Sequence, residues 1–273
     1  MSADTTTSSS SDGGDLADDH ALCRALADSA GQVLLRLRAE QTALTPAELK
    51  DAGDRASQQH LAAALALHRP DDAVLSEEAA DNSGRLRARR VWIIDPLDGT
   101  REFSEVPRED WAVHVALWED GDLVAGAVAR PAMGSTLATD RPPSAPADHD
   151  GPIRLAVSRT RPPAMVTTIA QRLGAELVPM GSAGVKATAV LDGTVDAYLH
   201  AGGQYEWDSA APVVVARASG LHTSRIDGSP LVYNRENPYL PDLLVCRPSV
   251  AATLLDAVAE LSPNPTTSEG TRS

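Results

Sequence analysis

The run Trp92-Ile93-Ile94-Asp95-Pro96-Leu97-Asp98-Gly99-Thr100 constrains this chain more than any other stretch. Its apolar, β-branched first half predicts a buried strand over 91–94. Asp95 and Asp98 follow, held apart by Pro96 and Leu97. Pro96 removes an amide donor, and Gly99 lets the backbone approach a ligand closely. Thr100 falls where a strand hands over to a helix. There its amide can meet a phosphate, and its hydroxyl can hold a water or act as a plain cap. Two carboxylates at the end of a buried strand are costly unless something positive neutralises them. A divalent metal beside a phosphate suits that arrangement.

The surrounding pattern predicts a layered α/β architecture. Ala21, Leu22, Leu26, Ala30, Val33, Leu34 and Leu37 recur at helical spacing, giving a helix over 18–40. Thr45-Pro46 marks a break or the start of a short helix, ahead of a second helix over 54–68. Strands are expected over 74–75, 111–118, 123–130 and 133–139, with Glu119-Asp120-Gly121-Asp122 as a hairpin turn. Beyond a Pro-, Asp- and Ala-rich seam at 140–152, the pattern alternates. Strands over 155–157, 176–180, 196–200 and 243–247 are separated by helices over 164–173, 184–192, 207–219 and 249–261. The expected division is an α+β half, 15–150, carrying most of the acidic ligands, and an α/β half, 151–261. The polar ends, 1–14 and 262–273, read as disordered tails.

Two further acidic positions stand out. Glu77 and Glu78 follow the short apolar strand at 74–75, and Asp208 opens a helix in Trp207-Asp208-Ser209-Ala210-Ala211-Pro212. Taken singly, the first pair reads as solvated acids and Asp208 as an N-cap. Their co-occurrence with the Asp-Pro-Leu-Asp-Gly-Thr turn is what points to a shared site.

Composition excludes several alternatives. The chain of 273 residues carries a net charge of −14, which argues against binding a nucleic acid polymer. Small phosphorylated substrates stay open, because bound cations invert the local field. No apolar run approaches the length of a membrane span, and the Ser/Thr-rich start lacks a secretory signal pattern. Cys23 and Cys246 form no Cys-x-x-Cys motif, so neither a zinc site nor a disulfide framework is expected. A cytoplasmic setting is the default.

Val74-Leu75-Ser76-Glu77-Glu78, Trp92 to Thr100 with Arg101-Glu102-Phe103, and Glu206-Trp207-Asp208 together resemble the signatures of the lithium-sensitive, magnesium-dependent phosphatases. That superfamily includes the inositol monophosphatases and fructose-1,6-bisphosphatases, whose fold is an αβαβα sandwich. Within it, Asp-Pro-Leu-Asp-Gly-Thr-Arg-Glu-Phe is most similar to the CysQ-type 3'(2'),5'-bisphosphate nucleotidases, with an actinobacterial texture. The resemblance implies hydrolysis of 3'-phosphoadenosine 5'-phosphate (PAP), with PAPS as a second candidate, in sulfur assimilation. Inositol-1-monophosphatase or fructose-1,6-bisphosphatase activity is the alternative.

The resemblance also implies roles. Glu77, Asp95 and the Leu97 carbonyl would hold one Mg²⁺, and Asp95, Asp98 and Asp208 a second, with a third ion near Glu77. Asp54 and Thr100 would orient the attacking water, with Glu77 among the catalytic groups. The amides of Gly99 and Thr100 would cradle phosphate. Gly181, Ser182 and Ala183 match the substrate loop, and Lys186, His200, Arg101, Arg159 and Arg161 are candidates for the rest of the substrate. Glu77, Leu97, Asp98 and Asp208 would also lie within its reach. Around Lys50–Arg55 and Ser158–Arg161 the chain departs from the CysQ pattern. At His200 it lacks the glutamate with which inositol monophosphatases grip ring hydroxyls. Inhibition by Li⁺ and a homodimer are inherited expectations.

Overall fold

A computed structural model describes residues 18–261, so the expected tails at 1–14 and 262–273 lie outside the described residues. Helix α1 (Asp19–Glu40) is capped by Asp18, whose carboxylate accepts from the His20 amide at 3.1 Å. Helix α2 spans Pro46–His68. It therefore begins well before the expected start at 54. Thr45 and Glu48 close a reciprocal capping box, and Pro46 sits in the first turn. The break at Thr45-Pro46 is thus the start of this same helix.

The first sheet contains β1 (Ala73–Ser76), β2 (Arg90–Asp98), β3 (Ala112–Glu119), β4 (Asp122–Arg130) and β5 (Ser135–Ala138), in that spatial order. β1 runs parallel to β2, and the remaining pairs are antiparallel. β2 is longer than its apolar half. It continues through both aspartates, with an irregularity in its pairing to β3 between Asp95 and Asp98. Pro96 lies inside that irregularity, where a missing amide costs no ladder bond. Both faces of β2 are buried. Trp92 and Ile94 pack with α1 and α2, while Val91 and Ile93 face the interior of the molecule. This explains why the strand reads as a continuous apolar run.

The second sheet contains β6 (Arg154–Ser158), β7 (Glu176–Met180), β8 (Ala197–Tyr205), β9 (His222–Ser224) and β10 (Tyr239–Cys246), in the order β7-β6-β8-β10-β9. Helices α5 (Ala183–Thr188) and α6 (Glu206–Ala218) share one core with both sheets. Helices α4 (Ala164–Leu173) and α7 (Pro248–Leu261) cover the outer face of the second sheet. The result is an αβαβα sandwich. A short helix α3 (Thr100–Ser104) leaves the end of β2. Strand β9 had no expectation attached, and β8 runs past 200 to Tyr205.

Candidate active site

The site forms where β2 ends against the start of α6. Parallel pairing sets Ser76 beside Ile94, so Glu77 emerges next to Asp95. Asp95 is 1% exposed. One of its oxygens accepts from the Leu97 amide at 3.0 Å, and the other is buried with no hydrogen-bond partner. Asp208, in the first turn of α6, accepts from the Tyr205 amide at 2.6 Å. One oxygen each from Asp95, Asp98 and Asp208 lies within 4.8 Å of the others. Glu77 is exposed at the mouth of this nest.

The electrostatics follow from crowding. Desolvation of its carboxyl end, then the charges of Asp208 and Asp98, push Glu77 up to about 7. Burial and the Asp98 charge push Asp208 up to about 6. Asp95 is raised well above the carboxylate range by burial and then by Glu77. Asp98 behaves oppositely. Burial would raise it, but the His114 imidazole 3.1 Å away outweighs that, with help from Lys186 and Ser182, and holds it well below the usual range. Oxygen donors, surplus negative charge and an unpartnered buried Asp95 oxygen fit a hard divalent cation.

The turn itself is fixed from two sides. Gly99 adopts the left-handed conformation, φ +84°, that starts α3. The Thr100 hydroxyl donates to the Leu97 carbonyl at 3.2 Å. From α2, the Ser57 hydroxyl donates to the Pro96 carbonyl at 2.6 Å. Gly53 permits this approach: a Cβ there would stand 2.7 Å from Phe103 and 2.9 Å from Leu97. Asp54 follows Gly53 and is pushed up to about 7 by burial and then by Glu78. No hydrogen bond joins Asp54 to Thr100 among the described residues.

Asp98 also gathers the loop before α5. It accepts from the Ser182 hydroxyl, the Ala183 amide at 3.0 Å and the Gly184 amide at 2.6 Å. Asp110 takes the Gly181 amide at 2.6 Å. Lys186 is buried, donates to the Ser182 carbonyl at 2.6 Å and lies over the Tyr198 ring at 5.3 Å. A cleft of about 320 Å³ beside Asp208 is walled by Lys186, His200 and Ala183 among others. Arg101 and Arg159 are engaged elsewhere. Arg101 pairs with Glu105 at 3.3 Å, and Arg159 reaches Glu102 and Glu105, each at 2.7 Å. Arg161 is exposed.

Residues 19–261 match the inositol monophosphatase family. The chain belongs to that family. A protein from Mycobacterium bovis called 3'-phosphoadenosine 5'-phosphate phosphatase is 56% identical over 239 residues, 85% of this chain and 90% of that protein. The protein of the same name from Mycobacterium leprae is 52% identical over 255 residues, 89% of this chain and 94% of that one. Among solved structures, inositol monophosphatase-II from Staphylococcus aureus MSSA476 superposes with a TM-score of 0.72 at 20% identity, covering 85% of this chain and 92% of its own. CysQ from Bacteroides thetaiotaomicron, a family member, superposes with a TM-score of 0.68 at 24% identity, covering 83% and 96%. These two likenesses concern the fold.

In this inositol monophosphatase family member, sequence reasoning missed three neighbours of the nest. Ser57 reads as an ordinary helix residue. Asp110 reads as a loop acid. His114 interrupts the apolar run of β3 and is fully buried. A lone imidazole inside a strand buried on both faces was the available signal, since a buried polar group needs partners.

Proposed function

We propose that this family member is a Mg²⁺-dependent phosphomonoesterase that hydrolyses PAP to AMP and phosphate. The observation that carries this is the convergence of Asp95, Asp98 and Asp208 beside the start of α3, with one Asp95 oxygen left unpartnered. The relatives named PAP phosphatase, 56% and 52% identical over most of both chains, support the choice of substrate.

Glu77, Asp95, Asp98, Asp208 and the Leu97 carbonyl would hold the metal. When bound, Mg²⁺ supplies an activated water and neutralises charge at the leaving oxygen. The protein's own groups do the remaining work. The amides of Gly99 and Thr100, at the start of α3, receive the phosphate. Asp54 and Thr100 orient the attacking water, and Glu77, at the mouth of the nest, is placed to take its proton. Asp98 holds the Ser182–Gly184 segment against the substrate, and Lys186 sets a positive charge on the cleft wall.

The test is a comparison of kcat/KM for PAP, inositol-1-phosphate and fructose-1,6-bisphosphate across a Mg²⁺ titration, with EDTA and Li⁺ controls. PAP is expected to be preferred, with activity lost in EDTA and inhibited by Li⁺. A preference for either sugar phosphate overturns the substrate assignment, and full activity in EDTA overturns the metal.

A further inference from the structure

Arg85 sits in a short 3₁₀ helix, Ser83–Arg87, on the connection from β1 to β2, and is 1% exposed. An arginine is almost never this buried unless its charge is paired. Its guanidinium faces two ways. Toward its own lobe, Nε and Nη2 donate to the two oxygens of Asp81 at 2.7 and 2.9 Å. Across the lobes, Nη1 donates to the Asn234 side-chain oxygen at 2.7 Å and Nη2 to the Arg235 carbonyl at 2.9 Å. Each end of this fork leads to a carboxylate of the nest. Asp81 lies four residues past Glu77, on the turn that leaves β1. Asn234 and Arg235 donate their backbone amides to the two oxygens of buried Glu206, at 2.7 and 2.9 Å, and Glu206 opens α6 two residues before Asp208. The Tyr233 hydroxyl lies 3.1 Å from that of Ser209, the residue after Asp208. Segment 233–235 therefore holds the first turn of α6 on both sides of Asp208, and Arg85 holds that segment from the first lobe.

We propose that Arg85 is a positioning residue that sets the spacing between the Glu77 turn and the Asp208 helix, and so the affinity of the nest for a divalent cation. The inference rests on the metal-dependent phosphatase function proposed above and adds what holds two of its carboxylates in place. Glu77 and Asp208 carry like charges that oppose one another, so their approach has to be enforced from outside the nest. A buried ion pair stabilises a fold no better than well-packed apolar groups; what it adds here is direction. The planar guanidinium fixes Asp81 and segment 234–235 at set angles to each other, which the single charged atom of a lysine cannot do. Groups that orient metal ligands from behind typically govern metal affinity by about ten- to a hundredfold.

The test uses the full chain, with Mg²⁺ binding read by calorimetry and PAP turnover followed across a Mg²⁺ titration. Arg85→Lys keeps the charge and loses the fork. Asn234→Gly removes the side-chain acceptor, keeps the amide that Glu206 accepts, and suits the left-handed backbone there, φ +59°. Neither variant alters the net charge. Each is expected to raise the Mg²⁺ dissociation constant about tenfold. The Mg²⁺ concentration for half-maximal rate is expected to rise by the same factor, with kcat at saturating Mg²⁺ within about threefold of wild type. The double variant is expected to bind no more weakly than the weaker single one, because both changes break one link. Should Arg85→Lys fail to fold, Asn234→Gly carries the test alone. A lowered Tm with Mg²⁺ binding within about twofold of wild type in folded Asn234→Gly, or losses that multiply in the double variant, overturns the positioning role while leaving the phosphatase function standing. A wild-type chain that binds no Mg²⁺ and turns over fully in EDTA overturns both.

Discussion

The His114 imidazole places Nε2 3.1 Å from the Asp98 carboxylate, with both side chains buried. Its Nδ1 lies 3.0 Å from the carbonyl of Trp207, the residue before Asp208. One ring therefore spans the end of β2 and the start of α6. Burial opposes a charge on His114, but the Asp98 carboxylate beside it prevails and raises its pKa.

Replacing this strut should loosen the nest. His114→Leu leaves Asp98 without its imidazole neighbour and unties α6. Unfolding in urea is expected to show a loss of about 3 kcal/mol. The Mg²⁺ concentration for half-maximal activity is expected to rise about tenfold, a shift worth about 1.4 kcal/mol. An unchanged Mg²⁺ requirement would show that His114 plays no part in spacing Asp98 and Asp208.

Asp95→Asn should trade activity for metal-free stability. The substitution removes a carboxylate crowded by Glu77, Asp98 and Asp208. In EDTA at pH 8 the variant is expected to melt above the wild type. It is also expected to lose most of the Mg²⁺-dependent rise in Tm and to drop kcat by orders of magnitude. Wild-type turnover at saturating Mg²⁺ would remove Asp95 from the ligand set.

The metal-free protein should lose stability as pH rises. Glu77 moves from an ordinary 4.5 to about 7, Asp54 from 3.8 to about 7, and Asp208 from 3.8 to about 6. These raised acids hold protons in the folded chain that the unfolded chain has already released. Their contribution is present below the ordinary values and is lost between about pH 4 and pH 7. Chemical denaturation in EDTA across this window measures the slope, and a rising curve would contradict it. Mg²⁺ binding at pH 6 should also release protons, visible as a buffer-dependent heat in calorimetry.

Gly53→Val should disturb the motif from behind. The added side chain would meet Phe103 and Leu97 inside contact distance, and α2 carries Ser57 and Asp54 with it. A loss of about 1–3 kcal/mol is expected by denaturant unfolding, together with reduced kcat. A variant with wild-type stability and rate would show that α2 does not brace the turn.

Much of this architecture is visible in the chain because the informative residues sit close together. Helix α4 and strand β7 have the expected bounds, 164–173 and 176–180, since each is a short periodic run between breakers. The acids of β2 and α6 stand out by their co-occurrence, since Asp208 alone reads as an N-cap. Local pattern failed where the deciding partner is distant. Gly202 and Gly203 look like the end of β8, yet pairing with β10 carries it on to Tyr205. Arg159 looks free until Glu102 and Glu105 of the first half come into contact with it. A helix start is legible at Thr45-Pro46, but its continuity into 54–68 is missed, although the Thr45/Glu48 box marks where the one long helix begins.

Asp98 grows from the first sheet, yet the donors of Ser182, Ala183 and Gly184 end on it. A carboxylate pulled toward a cation has less electron density to share with those donors. Filling the pocket must therefore change the grip between the two lobes, and emptying it must change the grip back. Charge chemistry at this corner is also mechanics, transmitted through the Asp98 carboxylate.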